Sequence, residues 1–446
     1  MTPSISSLLT DLYELNMAQA YLDRGESGEA VFEFFVRKLP ERRGFLMAAG
    51  LETALDYLET IRFSADDIDW LAKTGRFKKN LLDYLAGFRF TGDVHAMAEG
   101  TICFPHEPIL RITAPLPVAQ IVETRLINIM QFQSMIASKA ARMVLAANGK
   151  TLVDFGLRSA HGAEAGLMSA RASYIAGFAG AANVLAGEIF GIPIFGTMAH
   201  SYVQVHDDES AAFENFARAR PDNLVLLIDT YDTEAGARKV VALAPKLKEI
   251  GATLRAVRID SGDLTAMAKK VRRILDDGGL KDVTIFVSGG VNEDVLTAMR
   301  KAGAPIDGFG IGANLDTSQD APTLDCAYKL QEYAGAPRRK LSEGKATWPG
   351  RKQVWRTYNA DGGMRGDTLS LESDKQAGEA LIVPVMKGGK PVAPAPTLAA
   401  TREHAARELK RLPKALQQLE PGVAYPVTVA DALKALAAQV DAKTRR

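Results

Sequence analysis

The middle of the chain alternates short apolar runs with segments of helical periodicity. Segments such as "TEAGARKVVALAPKLKEI" and "DLTAMAKKVRRILDDGG" place apolar residues at three- and four-residue steps, the pattern of an amphipathic helix. The continuous apolar runs between them are typical of parallel strands that are covered on both faces. Such runs begin at Thr151, Ile192, Asn223, Thr253, Val283 and Asp307. The pattern predicts repeated strand–helix units around a parallel sheet.

The residues that end these runs favour a barrel over an open sheet. Nearly every run finishes in a polar residue or a glycine: Asp154, Thr197, Asp229, Asp260, Ser288 and Gly310. In an α/β barrel the loops after all the strands open on one face, where active sites are built. An open doubly wound sheet uses mainly the loops near its switch point. We therefore expect an α/β barrel with its chemistry at these strand ends.

The flanking segments show a different pattern, in which turn residues punctuate strand-like runs. "AVFEFFVRKLP", "GDVHAMAEGTICFPHEPILRITAPL" and "RKQVWRTYN" predict antiparallel strands. A long helix is predicted over residues 118–149. Two short helices are predicted after the Gly/Pro-rich connector at Lys387, the last with Thr428 and Asp431 in capping-box spacing. We expect a β-rich domain over 1–115, a barrel over 116–335, and a C-terminal segment over 336–446 that pairs with the first domain.

One apolar stretch, residues 172–196, is long enough to cross a bilayer. It contains Asn183, Glu188 and Pro193 and is rich in Ala and Gly, and an acid in mid-membrane is costly. We interpret this stretch as a tightly packed internal helix followed by a strand, with no role at a membrane.

Composition narrows the functional class. The 446 residues are 47% apolar and 24% charged, which is ordinary for a globular enzyme, and the net charge of +1 provides no field to attract nucleic acid. Cys103 and Cys326, far apart in sequence, form neither a disulfide framework nor a zinc site. The N-terminus lacks the features of a signal peptide, so we expect a cytoplasmic location.

Two glycine-rich strand ends predict a phosphate site. In "SGGVNEDV", Gly289 and Gly290 allow backbone N–H groups to approach an anion, and Asn292 is placed to cap the next helix. "GFGIGANLDTS", from Gly308, is a second such end on the next strand, and late-strand loops of this kind bind phosphate in barrels. The alternative is that these glycines only make tight turns.

Acidic and basic residues accompany these turns. "RIDSGDL" contains Arg258, suited to clamp a phosphate or carboxylate, and Asp260, suited to hold Mg²⁺ or ribose hydroxyls. Ser261 and Asp263 also fit as cap and first-turn charge of the next helix, and we expect both roles. Asp229 is expected at the same mouth, although "LVLLIDTYDTEAGA" lacks the two adjacent carboxylates of the common phosphoribosyltransferase loop.

His200 is the candidate reactive imidazole. It follows a predicted buried strand and lies between the hydroxyls of Thr197 and Ser201. Imidazole carries protons and attacks phosphorus. The group from His206 to Glu209 is interpreted as solvated charge at a helix start rather than a metal site, and Cys103 as a core thiol. The chain has no G-x-x-x-x-G-K-[ST] loop, so ATP use requires another binding mode.

Seven ordered stretches together resemble the nicotinate phosphoribosyltransferase family over nearly the whole chain. They are "TDLYELNMAQAY", "FEFFVRKLPERRGF", "DFGLRSAHG", "GTMAHSYV", "LLIDTYDT", "RIDSGDL" and "SGGVNE". The resemblance implies an incomplete α/β (TIM-like) barrel joined to a smaller β-rich sandwich domain built from the N- and C-terminal segments. It also implies a homodimer.

The resemblance further implies a reaction and its site. Nicotinate and 5-phosphoribosyl 1-diphosphate (PRPP) would form nicotinate mononucleotide and diphosphate in NAD salvage, with Mg²⁺ and with ATP hydrolysis coupled through a phosphohistidine. The implied roles are as follows: His200 is phosphorylated; Tyr13 and Thr197 contact nicotinate; Arg158 and Arg258 bind anions; Asp229 and Asp260 hold ribose or the magnesium shell; Ser288, Gly289, Gly290, Gly310 and Gly312 belong to the phosphate turns.

Two positions depart from the family pattern. Ser159 and Ala313 stand where many members have an arginine and a hydroxyl residue, so one charge and one phosphate contact are absent. The basic loop over residues 37–44 is a candidate to compensate, across a dimer interface, or else it is solvated surface.

Three alternatives are weighed against this interpretation. A nicotinamide enzyme of the same fold would present an acceptor such as Asp, where a nicotinate enzyme presents Arg or backbone amides. A catalytically weak nucleotide-binding homologue would fit the changes at Ser159 and Ala313. A Schiff-base aldolase is disfavoured because no predicted strand ends in Lys.

Overall fold

The computed structural model describes residues 6–420 and 422–444. The chain divides into two compact units. The central unit is Lys139–Asp320, and the flanking unit combines Met1–Ser138 with Ala321–Arg446.

The described residues form helices and strands that alternate in the central unit and are mixed in the flanking unit. The α-helices are α1 Leu12–Arg24, α2 Leu51–Thr60, α3 Ala65–Lys73, α4 Lys79–Ala86, α5 Leu116–Ile121, α6 Glu123–Ala147, α7 Ala163–Ala176, α8 Val184–Phe190, α9 His200–Gln204, α10 Glu209–Ala219, α11 Thr233–Glu249, α12 Leu264–Asp277, α13 Glu293–Lys301, α14 Ala313–Asp316, α15 Leu398–Arg411 and α16 Asp431–Thr444. Short 3₁₀ turns lie at Leu157–Ser159 and Pro221–Asn223. The strands are β1 Glu29–Val36, β2 Leu46–Met47, β3 Asp93–Ala96, β4 Ile102–Cys103, β5 Pro108–Pro115, β6 Thr151–Asp154, β7 Gly180–Ala181, β8 Leu224–Leu227, β9 Leu254–Ile259, β10 Thr284–Val287, β11 Gly308–Ile311, β12 Cys326–Tyr333, β13 Ala336–Pro337, β14 Lys352–Tyr358, β15 Met364–Leu371, β16 Glu379–Ala380, β17 Val383–Lys387, β18 Lys390–Pro391 and β19 Val427–Val429.

The central unit contains a six-stranded sheet in which every pairing is parallel. Its order is β7-β6-β11-β10-β9-β8, so the first strands of the unit pair with the last. This is the cyclic order of a barrel that is open between β7 and β8. The prediction of an incomplete α/β barrel is confirmed at the level of a curled, parallel half-barrel in a mixed α/β fold.

Five of the six predicted barrel strands are present, and one is wrong. Residues 192–195 form only an isolated parallel bridge between Ile194 and Ala181. Pro193 has no N–H to donate to a ladder, and the residues Ile194 and Phe195 are 56% and 38% exposed. The strand at this edge of the sheet is the two-residue β7, which the apolar pattern does not predict.

The interpretation of residues 172–196 as one helix followed by a strand is also wrong. The α7 helix ends at Ala176, where Gly177 (φ 125°) provides the left-handed backbone that terminates it, and α8 begins only after β7. Over residues 6–420 and 422–444, the structure has no helix with both the length and the apolar character needed to span a bilayer.

The flanking unit contains a seven-stranded sheet in the order β13-β12-β1-β5-β3-β17-β18. Here β1 pairs antiparallel with β12 and β3 pairs antiparallel with β17, so strands from both ends of the chain share this sheet. The run of buried residues in β1, from Ala30 to Val36, shows that both of its faces are covered.

Two local predictions in the flanking segments need correction. The long helix predicted over residues 118–149 begins as α5 and is interrupted at Val122 before α6. Thr428 does not cap the last helix, because it lies in β19, where its hydroxyl is 3.1 Å from that of Thr368. Asp431 is the first residue of α16.

A buried arginine ties together three segments of the flanking unit. Arg356 on β14 donates hydrogen bonds to Asp367 on β15 at 2.6 Å, to Glu408 on α15 at 3.0 Å and to the carbonyl of Ile102 at 2.8 Å. The side chains of Arg356 and Asp367 are 0% exposed. Removing one partner of a buried ion pair leaves uncompensated charge in a medium that solvates it poorly.

We predict that Arg356→Met lowers the free energy of unfolding of the flanking unit by about 3–5 kcal/mol, because Asp367 and Glu408 would lose their cation. Urea unfolding followed by tryptophan fluorescence measures this unit, since Trp70, Trp348 and Trp355 all lie in it. The control is Arg24→Met, which breaks an exposed pair with Glu26 and should cost at most about 1 kcal/mol. Equal effects of the two substitutions would contradict the prediction.

Candidate active site

Three neighbouring strands of the half-barrel bring their polar ends together. Asp229 lies just beyond β8, Asp260 follows β9 and Ser288 follows β10, and these strands are adjacent and parallel. Because parallel strands end on the same edge of a sheet, residues 31 and 28 positions apart come into hydrogen-bonding contact. The candidate site is built at this edge.

Arg258 is the cation at the centre of the site. Its Nη2 donates to Asp260 at 3.0 Å, its Nε donates to the Ser288 hydroxyl at 2.9 Å, and Ser288 donates in turn to Asp260. Burial raises the pKa of Asp260, but the hydrogen bonds from Ser288 and Arg258 outweigh burial and leave that pKa below its usual value. Asp260 is therefore ionised at neutral pH.

Asp229 is the most buried acid of the site, with its side chain 1% exposed. Its Oδ2 accepts the Asp260 N–H at 2.9 Å and the Ser261 hydroxyl at 2.6 Å. Its Oδ1 has no hydrogen-bond donor among the described residues. A buried carboxylate oxygen without a donor is unusual, and such an atom is available to a ligand.

His200 faces this pair of acids as the first residue of α9. Its Nε2 lies 4.0 Å from Asp229 Oδ1 and 3.8 Å from Asp260 Oδ2, and its side chain is 37% exposed. Its Nδ1 lies 3.2 Å from the Thr230 hydroxyl. The carboxylates favour a proton on Nε2, which leaves the lone pair on Nδ1. The imidazole is both oriented and accessible.

The segment that carries Thr197 contacts the same arginine. Nη1 of Arg258 donates to the carbonyl of Met198 at 3.3 Å, so residues 197–200 are held beside the strand ends. The Thr197 hydroxyl itself interacts with the backbone of Met198 rather than with His200.

The aromatic ring of Phe155 packs against the guanidinium of Arg258. The guanidinium of Arg258 lies 5.6 Å from the centre of the Phe155 ring, a favourable cation–π distance. The ring occupies the space above Gly310, where a Cβ would lie only 2.4 Å from it. Gly310 lies inside β11 rather than in the glycine turn that follows this strand, and its observed role is packing against Phe155.

The two glycine turns lie next to this network and to each other. Gly289 has φ 94°, and a Cβ there would lie 2.2 Å from the carbonyl oxygen of Asp260. The side chain of Asn314, just after Gly312, donates to the carbonyls of Gly290 at 3.1 Å and Val291 at 2.9 Å. One side chain thus fixes the two predicted phosphate turns together.

The structure shows which of the residues near these turns cap a helix. Asn292 caps α13 by accepting the Val295 N–H at 2.9 Å, as expected. Asp263 caps α12 by accepting the Ala266 N–H at 3.0 Å. Ser261 does not serve that helix, because its hydroxyl is committed to Asp229.

Two predicted site residues belong to other elements of the chain. Arg158, in the 3₁₀ turn after β6, is exposed, and within the described part of the chain its guanidinium has no hydrogen-bond or ion-pair partner. Tyr13 belongs to α1 of the flanking unit, where burial raises its pKa to about 12.

Other candidates are explained by ordinary pairing. Asp208 caps α10 and is exposed, as predicted. Glu209 is buried, with its side chain 1% exposed, and pairs with Lys239 at 2.9 Å, so the interpretation as solvated charge is wrong for Glu209. Burial raises the pKa of Cys103 well above its usual value, as a core thiol requires. In the basic loop, Arg37 pairs with Asp325 at 2.8 Å and Arg42 with Glu420 at 3.2 Å, so these cations are already partnered in the flanking unit.

Thr230, Phe155, Met198 and Asn314 take part in the site but were not predicted from the sequence. Thr230 directly follows Asp229 in "LIDTYD", and Asn314 directly follows the second glycine turn, so adjacency was the available signal for both. The parts played by Phe155 and by the Met198 carbonyl depend on packing and have no sequence signature.

Known proteins resemble this chain over nearly all of its length. Residues 8–131, 151–336 and 374–437 match, respectively, the N-terminal domain, the family and the C-terminal domain of nicotinate phosphoribosyltransferase (NAPRTase). The chain is 49% identical over 429 residues to the Mycobacterium tuberculosis protein named nicotinate phosphoribosyltransferase pncB2, covering 96% of this chain and 92% of that protein. It is 39% identical over 380 residues to nicotinate phosphoribosyltransferase of Bacillus subtilis, covering 83% and 77%.

The fold is similar to a solved structure as well. The crystal structure of human nicotinic acid phosphoribosyltransferase superposes with a TM-score of 0.88 at 29% sequence identity, covering 97% of this chain and all of that one. Three successive domain matches and this shared fold show that the chain belongs to the nicotinate phosphoribosyltransferase family.

Proposed function

We propose that this protein joins nicotinate to PRPP, forming nicotinate mononucleotide and diphosphate, and couples the reaction to ATP hydrolysis through a phosphohistidine. The observation that supports it best is the cluster in which His200, Asp229, Asp260 and Arg258 meet beside two glycine turns. Family membership supplies the substrates, since the relatives carry the name of this activity.

The residue types suit transfer of a ribosyl group. Departure of diphosphate from C1 of PRPP leaves positive character on the ribose and negative charge on the leaving group. Arg258 and backbone N–H groups of the turns at Gly289 and Gly312 would stabilise that charge, while Asp229 or Asp260 would accept ribose hydroxyls. The nitrogen of nicotinate then forms the new bond to C1, so orientation of the two substrates is the remaining requirement.

Mg²⁺ fits the donors at this site. The Oδ1 of Asp229 has no donor in the part of the chain that the structure describes, and Asp260 Oδ2 is the neighbouring carboxylate oxygen. Across the described residues no cluster of three or more His, Cys, Asp and Glu forms a complete metal site. Mg²⁺ typically uses one or two carboxylates together with waters and substrate phosphates. Bound through one of these two oxygens, Mg²⁺ would supply charge to the diphosphate of PRPP, and the other oxygen would still face His200 Nε2.

The geometry of His200 supports the phosphohistidine step. With Nε2 protonated beside the acids, the Nδ1 lone pair would attack the γ-phosphorus of ATP once the Thr230 hydroxyl yields. The N–P bond would form as the bond from phosphorus to the β–γ bridging oxygen breaks and ADP leaves. Water would later cleave the N–P bond, releasing phosphate and restoring the imidazole.

Several finer features are also proposals. We propose a homodimer in the cytoplasm, and a β-rich sandwich domain built from residues 1–115 and 336–446 around a barrel over 116–335. The pairing of β1 with β12 and of β3 with β17 supports the joining of the two chain ends.

The function is tested by product analysis. Purified protein with nicotinate, PRPP and Mg²⁺ should form nicotinate mononucleotide and diphosphate, faster with ATP than without it. Nicotinamide at equal concentration should compete poorly, because the exposed guanidinium of Arg158, which has no partner among the described residues, favours a carboxylate over an amide. Faster turnover of nicotinamide would reject the substrate assignment, and tight binding without diphosphate release would reject the enzyme.

We predict that His200→Ala abolishes phospho-enzyme formation and leaves slow transfer that ATP does not stimulate. Incubation with γ-labelled ATP, followed by a test for acid-labile label, measures the first effect, and product formation measures the second. His206→Ala is the matched control, because within the described residues the hydrogen-bond partner of the His206 ring is the Tyr202 carbonyl one turn away. Equal labelling of wild type and His200→Ala would refute the assignment.

We predict that Arg258→Lys lowers kcat/KM for PRPP by about 10²- to 10³-fold, because an ammonium cannot hold Asp260, Ser288 and the substrate anion at once. Steady-state kinetics at fixed ionic strength measures the change. Arg255→Lys is the control on the same strand, since that side chain is exposed. A loss below threefold at position 258 would contradict the proposed role.

A further inference from the structure

Two buried carboxyl groups lie outside the cluster described above, at the end of β6 and at the end of α14. Asp154 ends β6 with 3% of the residue exposed, and Asp316 ends α14 with 1% exposed. Both carboxyl groups lie beside Gly156, and Asp316 Oδ2 has no hydrogen-bond partner among the described residues. A proton shared between the two carboxyl groups would satisfy that oxygen. The chemistry proposed for His200 and Arg258 does not use either group.

This pair joins the two turns that hold predicted anion contacts. Asp154 Oδ1 accepts the Gly156 N–H at 2.7 Å, and Gly156 opens the turn that carries Arg158. Asp316 closes the short helix that begins after Gly312, and its Oδ1 accepts the Ser169 hydroxyl at 3.0 Å. A Cβ at Gly156 would lie 2.1 Å from Asp316 Oδ1, so the turn is pressed directly onto this carboxyl group.

Among the described residues, the pair accepts hydrogen bonds from neutral donors, the Gly156 N–H and the Ser169 hydroxyl. The 3₁₀ turn and α7 pack against α14, and their charged residues are Arg158 on the turn and Glu164 and Arg171 on α7. The groups that act on the pair are Gly156, Ser169 and the two carboxyls themselves. Ionising both carboxyls would leave two like charges buried in contact.

We propose that Asp154 and Asp316 share one proton, and that this shared proton positions the Arg158 turn and the Gly312 turn for binding of the anionic substrates. The two aspartates are positioning residues, since they contact the turns and not the reacting atoms. This inference rests on the proposed function for its substrates, nicotinate and PRPP.

The shared proton makes the arrangement of the two turns depend on pH in one direction. Burial raises the pKa of Asp154 to about 6, and burial together with the Asp154 charge raises the pKa of Asp316 to about 9. Asp316 is therefore the protonated partner at neutral pH. A carboxyl whose folded pKa lies above its unfolded pKa stabilises the fold at low pH, and this contribution falls as pH rises towards the folded value. Loss of the proton above about pH 9 should separate the two turns.

The test is Asp316→Asn, whose amide reproduces a permanently protonated Asp316. Its Nδ2 can donate to Asp154 while its carbonyl accepts from Ser169. For wild type, KM for nicotinate or for PRPP should rise about tenfold between pH 8 and pH 10, as one ionisation near pH 9 requires, with a smaller change in kcat. For Asp316→Asn, the same KM should stay within about twofold of its value at pH 8.

Two further variants separate positioning from general damage. Asp316→Ala removes the donor to Asp154 and should raise KM at every pH, so recovery of KM by Asn but not by Ala identifies the hydrogen bond as the cause. Asp307→Asn changes an exposed acid at the other end of β11 and should reproduce the wild-type pH profile. Identical KM profiles for wild type and Asp316→Asn would overturn the proposal.

A second measurement does not depend on turnover. The difference in melting temperature between wild type and Asp316→Asn should shift against wild type as pH rises from 5 to 9, because only wild type loses a proton-linked contribution. A difference that stays constant over this range would also overturn the shared proton. If the proposed activity fails while this shift is observed, the proton assignment stands and only its substrate role is lost.

Discussion

The hydrogen bonds of Arg258 are the constraint on which the rest of the candidate site depends. One guanidinium reaches Asp260, Ser288 and the carbonyl of Met198, and so connects two strand ends to the segment that presents His200. Without this cation, Asp229 and Asp260 would lie close together as like charges beside an imidazole. With it, Asp260 stays ionised, and Asp229 Oδ1, which has no hydrogen-bond donor among the described residues, lies beside it.

The two glycine turns extend this arrangement towards phosphate chemistry. Gly289 must approach the Asp260 carbonyl closely, and Asn314 fixes the neighbouring turn to Gly290, so the backbone donors of both turns are held by the same network as the acids. Preorganised donors of this kind stabilise developing charge because they need little rearrangement during the reaction. The half-barrel therefore supplies rigidity, and its strand-end loops supply the functional groups.

Some strands of the half-barrel could be predicted from the sequence and others could not, for physical reasons. The strands β6, β9 and β10 were predicted because continuous apolar runs and the helices after them leave a strong pattern. Residues 192–195 have the same apolar character, yet they form only one bridge. Pro193 has no N–H to donate, and the six-stranded sheet ends at β7. The two-residue strand β7 was missed because so short a segment has no periodicity to detect.

The sequence by itself determined the fold class, the family and the identity of the residues at the strand ends, because those depend on local pattern and on ordered motifs. Only the tertiary structure decided which of these residues meet. It placed His200 against Asp229 and Asp260, gave the hydroxyl of Ser261 to Asp229, and buried Asp154 against Asp316. Parallel pairing brings together residues that are distant in sequence, and no local pattern encodes the distances between them.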